Sequence, residues 1–175
     1  MIRKSNEAEQ LALEQVANLM VAAARTAPKT RGIDNIQTLI LTETDVKKLI
    51  PKMCEIAKRD NRPSFQRDAG NLEQVKACVI IATKINPVGL NCGFCGFKTC
   101  EELKAAKGVC AYNAMDLGIA ISSAATIAGR FHIDNRMMYS VGKAAIELCL
   151  FDKGAGQAIG MPLSATGKNI FFDRK

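Results

Sequence analysis

The chain has no tryptophan, two tyrosines and one histidine among 175 residues. That scarcity removes several classes of chemistry. Nucleic-acid binders stack bases on aromatic side chains and cluster their cations, whereas here the basic residues are scattered with no block of five. The formal charge of +7 therefore points to solubility and to acidic partners or anionic cofactors, and nucleic acid is not expected. The single histidine, His132, supports no Cys–His nucleophile and stands beside a turn, where a surface or capping role is the default. Long apolar runs are missing too. The most apolar stretch, Leu117–Ala128, carries Ser122, Ser123 and Thr126 and is shorter than the ~20 residues of a membrane span. The first ten residues lack the apolar core of a secretory signal. The expectation is a cytoplasmic protein with no membrane contact.

Internal repeats, low-complexity tracts, linkers and a G-x-G-x-x-G fingerprint are likewise lacking. The stretch Gly160–Asn169 looks like a phosphate loop, but its glycines are too far apart and Asn169 stands where Ser or Thr should follow Lys168. With 48% apolar and 23% charged residues, a chain of this length suits one core, so residues 1–175 are read as a single domain.

Cysteine is what the chain has in excess. Seven is an odd number without a secretion signal, which argues against a disulfide framework. Cys54, Cys78 and Cys149 fall among apolar neighbours at helical or strand spacing and are read as small core hydrophobes. The other four lie close together: Cys92, Cys95 and Cys100 at C-x2-C-x4-C spacing, then Cys110. Thiolates so close in sequence can converge on one soft metal or iron–sulfur centre. Gly93 and Gly96 follow the first two thiols, where tight bends and amides turned toward sulfur need a missing side chain. Phe94 and Phe97 would shield a cluster, and helix starts at Cys100 and Cys110 would set positive dipole ends beside it. We therefore expect a [4Fe–4S] cluster on Cys92, Cys95, Cys100 and Cys110, within the segment 91–110. Zinc is the rival, and with it a zinc-stabilised, non-catalytic binding or regulatory module. Four-cysteine zinc sites usually pair two C-x2-4-C hairpins, whereas only one such pair is present here.

Periodicity places helices at about 6–26, from Thr42 toward Asp60 with Pro51 dividing it, near Ser64–Asp68, from Cys100 toward Gly108, at about 110–128, and at 135–150. Strands are expected at 36–41, 77–83 and 157–161, with a further one at 169–172. Helices and strands do not alternate strictly, so the fold class is α+β, with a central mostly antiparallel sheet packed by helices. The helix from Cys110 is apolar nearly all round and should be buried. Its lone acid, Asp116, is read as a paired structural carboxylate, and Asp134–Arg136 as a helix cap.

The runs Cys-Gly-Phe-Cys-Gly-Phe-Lys-Thr-Cys, Gly-Val-Cys-Ala-Tyr-Asn-Ala-Met-Asp-Leu-Gly-Ile-Ala and Pro-Leu-Ser-Ala-Thr-Gly-Lys-Asn-Ile-Phe-Phe-Asp-Arg resemble a family of prokaryotic ferredoxin-domain-containing proteins. That resemblance covers nearly the whole chain and implies the same four cluster ligands. A fainter one, carried by Ala24-Arg25-Thr26-Ala27-Pro28, Asn35-Ile36-Gln37, Leu117-Gly118-Ile119-Ala120 and Gly160-Met161-Pro162, is to nitroreductase-like flavoproteins. It implies a homodimer with FMN at the interface, flavin-dependent oxidoreduction, and flavin contacts at Arg25, Lys29, Asn35 and Lys168, with Arg174 an alternative to Lys168. The family's N-terminal Arg-Arg-Ser-x-Arg grip on the flavin phosphate has no counterpart here. Together the resemblances imply an iron–sulfur redox protein exchanging electrons with a flavin or a protein partner, with no catalytic residue assigned.

Overall fold

The computed structural model describes residues 2–172. A long helix, α1 (Ser5–Thr26), leads through a 3-10 turn at Thr30–Gly32 into β1 (Ile36–Thr42). Three helices follow, α2 (Glu43–Lys47), α3 (Leu49–Arg59) and α4 (Pro63–Leu72), and then β2 (Ala77–Lys84). After the cysteine segment come α5 (Cys100–Ala105), α6 (Ala111–Arg130), the two-residue β3 (Asp134–Asn135), α7 (Tyr139–Glu147) and β4 (Ala155–Ser164).

The strands form one antiparallel sheet in the order β1-β2-β4-β3. Side chains alternate across the pleat, so each strand feeds two cores. Ile36, Val79, Ile81, Met161 and Leu163 pack on one face against α1 and α6. Cys78, Ile80 and Ala82 face the other way, toward α2, α3, α4 and α7. Covered on both sides, β2 reads as an unbroken apolar run in sequence. A third, smaller cluster lies apart from both: Val88, Leu103 and Cys110, with Ile33, Cys95, Phe97 and Tyr112 against it.

Several local expectations are corrected. The helix after β1 divides at Lys48, upstream of Pro51. Proline has no N–H and its ring crowds the carbonyl four residues back, so the break falls before it and Pro51 sits in the first turn of α3. Thr42–Asp45 has the sequence of a capping box, but Thr42 caps α2 without a side-chain hydrogen bond. The helix expected over 135–150 is shorter, because Asp134–Asn135 pair with β4 and Met138 bridges Gly160. Asp134–Arg136 is thus no helix cap. Cys149 lies beyond α7 with positive φ and is exposed, not core. Residues 169–172 form a turn, because the Asn169 side-chain oxygen accepts from the amides of Phe171 and Phe172. Finally, α6 buries one face only, leaving Met115 and Ile119 about two-fifths exposed on the other.

Candidate metal centre and its surroundings

The cysteine segment leaves the sheet at the end of β2 and is closed by side-chain hydrogen bonds. Gly93 and Gly96 have φ of 77° and 84°, and the amide of Gly96 donates to the Gly93 carbonyl at 2.9 Å. A side chain at either glycine would meet no neighbouring atom, so what the bend requires there is the left-handed conformation. The Asn91 side chain accepts from the Cys100 amide at 2.8 Å, which ties the two ends of the thiol run together. Thr99 caps α5 by accepting from the Glu102 amide at 3.1 Å. The Glu102 carboxylate in turn accepts from the Lys98 amide. Cys100 therefore opens α5, and Cys110 is the residue before the first turn of α6.

The four thiols differ in access. Cys92 is exposed, Cys95 and Cys100 are half-buried and Cys110 is buried. Cys95 and Cys110 share the small third core. Among the described residues, no three His, Cys, Asp or Glu side chains gather closely enough to hold a metal ion. Phe94 is 68% exposed and stacks on Tyr112, 5.7 Å between centroids, whereas Phe97 packs inward. By contrast, desolvation pushes the Cys78 thiol up to about 12, which keeps it protonated and inert.

The residues expected to touch a flavin fall into two places. Arg25, Lys29 and Asn35 surround the α1–β1 connection. Arg25 donates to the Asp34 carboxylate at 2.5 Å and to the Ile36 carbonyl at 2.8 Å. Burial alone would raise the Asp34 carboxyl, but Arg25, the Ile36 amide and Lys29 hold it below its ordinary value. The Lys29 side chain is only 7% exposed, and its ammonium donates to the carbonyls of Ala24, Arg25 and Ala27. It works as the C-terminal cap of α1. Asn35 is buried, and its Nδ2 has no acceptor. Lys168 is elsewhere. Its carbonyl accepts from Thr166, which also bonds Ser164 at the far end of β4, roughly 20 Å of strand from the end beside Asn35. Arg174 lies outside the described residues.

Asn86, Asn113 and Arg31, none of them a candidate site residue in the sequence, hold these parts together. The Asn86 side chain donates to Asn35 at 3.2 Å, and its amide donates to the Asn113 side chain at 2.9 Å. Asn113 is fully buried three residues after Cys110, and its Nδ2 also lacks an acceptor. Arg31 donates to the Val88 carbonyl at 2.8 Å. Asp116 accepts from the Thr30 amide and hydroxyl, the structural pairing expected of it. The available signals were modest: an Asn-Pro pair at 86–87, and polar residues at buried positions of an apolar helix.

This sheet-and-helix arrangement is the nitroreductase-like fold. A nitroreductase with bound FMN from Desulfitobacterium hafniense superposes with a TM-score of 0.60 at 13% identity, covering 96% of this chain and 81% of that one. NfrA2 of B. megaterium gives 0.57 at 14% identity, and 89% of this chain matches 59% of its length. Within that class, the chain belongs to the family of uncharacterized proteins containing a ferredoxin domain, whose profile matches residues 106–174. A relative from Archaeoglobus fulgidus, described as an uncharacterized protein, is 40% identical over 167 residues, 90% of this chain and 89% of the relative. Of the four thiols the matched span contains Cys110 alone.

Proposed function

We propose that the chain is an iron–sulfur redox protein whose [4Fe–4S] cluster is held by Cys92, Cys95, Cys100 and Cys110. The supporting observation is that Cys95 and Cys110 share one small core, while Asn91 and two left-handed glycines fold the segment carrying Cys92 back to Cys100; the four thiols are neighbours in the fold without converging on one point. Thiolate sulfur is the donor such a cluster takes, and one-electron transfer is the chemistry it supplies when bound. The chain's own residues do the rest. Leu103, Phe97 and Val88 exclude water around Cys95 and Cys110. Cys110 precedes a 20-residue helix, whose positive end would face the negative charge of a bound cluster.

FMN is a second reading, carried by one atom. Asn35 Nδ2 is a buried donor without an acceptor, and the fold is one in which the Desulfitobacterium nitroreductase holds FMN. Arg25 and Lys29 are engaged locally, and Lys168 reaches that region of the same chain from no direction the register allows. A flavin contact from Lys168 therefore requires a second copy of the chain, which agrees with a homodimer formed through the exposed side of α6, where Met115 and Ile119 lie bare.

Protein purified without oxygen is expected to contain iron and acid-labile sulfide and to show a broad absorbance near ~400 nm that dithionite bleaches. Cys95→Ser should lower both iron and absorbance. Colourless wild-type protein, or stoichiometric zinc in place of iron, overturns the proposal. The same spectra, with fluorescence of acid-released flavin, decide on FMN.

A further inference from the structure

A cavity of about 440 Å³ opens beside Cys100, between the segment that follows β2 and α5. Its size lies in the range of small-molecule sites. The walls are chemically uneven. Ile85 and Pro87 give an apolar side, Asn86 a neutral polar one, and Lys104 and Lys107 two ammonium groups. Glu101 is the one acid in the wall. Among the described residues, neither Lys104 nor Lys107 joins an ion pair, although ten other pairs form. Arg31, anchored to the Val88 carbonyl next to the Gly89 wall, is likewise without an acidic partner. Both lysines are exposed, so water screens their mutual repulsion and leaves the two cations available to an anionic ligand.

The cavity also sits at a junction. Its wall residue Asn86 is hydrogen-bonded to Asn35 on one side and to Asn113, in the first turn after Cys110, on the other. A molecule in the cavity would touch the Cys100 wall and Asn86, a residue that links the cysteine lobe to the Asn35 region.

From these observations we infer that the cavity is a binding site for a small anionic molecule, its carboxylate or phosphate groups paired with Lys104 and Lys107. The inference deepens the redox reading by giving it a substrate class, and it rests on that reading for that role. Binding itself requires only the cavity and its cations. A concave site of this volume suits a small molecule better than the flat face of a protein partner.

The test is an amide-shift NMR titration of the full-length, anaerobically purified chain with inorganic pyrophosphate, and separately with citrate, at constant ionic strength. The expected result is saturable shifts at Gly89, Lys104 and Gly108, weakening as sodium chloride is raised. Lys104→Gln combined with Lys107→Asn should weaken binding at least tenfold. Asparagine is chosen at 107 because that residue has φ of 52°, which asparagine tolerates. Lys47→Gln with Lys48→Gln, far away at the junction of α2 and α3, should change nothing. Linear shifts with both anions, or equal affinity in the Lys104/Lys107 variant, overturn the site. The stronger of the two anions identifies the head group. Absorbance of the same sample reports the cluster separately. Coloured protein without saturable binding sinks the site alone, and colourless protein that binds sinks the redox role and leaves the site standing.

Discussion

Asp34 shows how a single carboxylate can organise a connection. It accepts from Arg25 and from the Ile36 amide, with Lys29 nearby, and so fixes the turn that brings Asn35 to the end of β1. Because its folded-state pKa is lowered, the ion pair stabilises the fold at neutral pH, and that stability is lost as pH falls below about 4 through the folded value. Both partners are more than a third exposed, so solvent screening limits the contribution to about 0.5 kcal/mol. Asp34→Asn should therefore lower Tm slightly at pH 7, and thermal melts of variant and wild type should converge at acidic pH. A gap that widens on acidification would contradict this assignment. At this scale the sequence was legible in chemistry and less so in placement. The type of each residue announced what it could bind, but Lys29 turns inward to cap α1 and Lys168 lies at the wrong end of a strand. The Lys29 cap is local, its acceptors lying within five residues, whereas the place of Lys168 follows from the long-range strand register.

Among the elements, α7 lies tightly against β4. A Cβ at Gly142 would overlap the Ala158 carbonyl, and one at Gly160 would strike Val141. The helix thus lies backbone-to-backbone on the strand, with no room for a methyl group on either surface. Gly142→Ala should cost about 3 kcal/mol, read by urea denaturation, because the obstruction is main chain and cannot rotate aside. A neutral substitution would mean that α7 slides on the sheet. Most elements could be read in advance: the 3.6-residue period of Leu13, Val16, Ala17 and Met20 and the apolar run of β2 were sufficient. The misread ones were those decided by partners. Asp134–Asn135 is a strand only because Ser164 and Leu163 lie beside it, and the Asn169 turn depends on one side-chain oxygen.

At the scale of the molecule, the sheet divides two large cores, and α6 shows solvent a side that would ordinarily be covered. Met115 and Ile119 are exposed there, and Phe94 stacks nearby on Tyr112. If two copies meet on this face, Met115→Lys with Ile119→Lys should convert a dimer into a monomer in size-exclusion chromatography with light scattering, without loss of helicity. A wild-type monomer at micromolar concentration would remove the dimer from the account. The fold class was recoverable from the order and length of elements. The site was recoverable as a list of thiols, but not as a geometry, because nothing local specifies how a bent loop meets two helix starts.

The separateness of the third core has a further consequence. Val88, Leu103 and Cys110 are packed apart from the two clusters that flank the sheet, and the lobe is moored to the body through Asn86 and Arg31. If the thiols hold a cluster as proposed, its loss would fall first on this annex, while the packing of the two cores beside the sheet uses none of the four thiols.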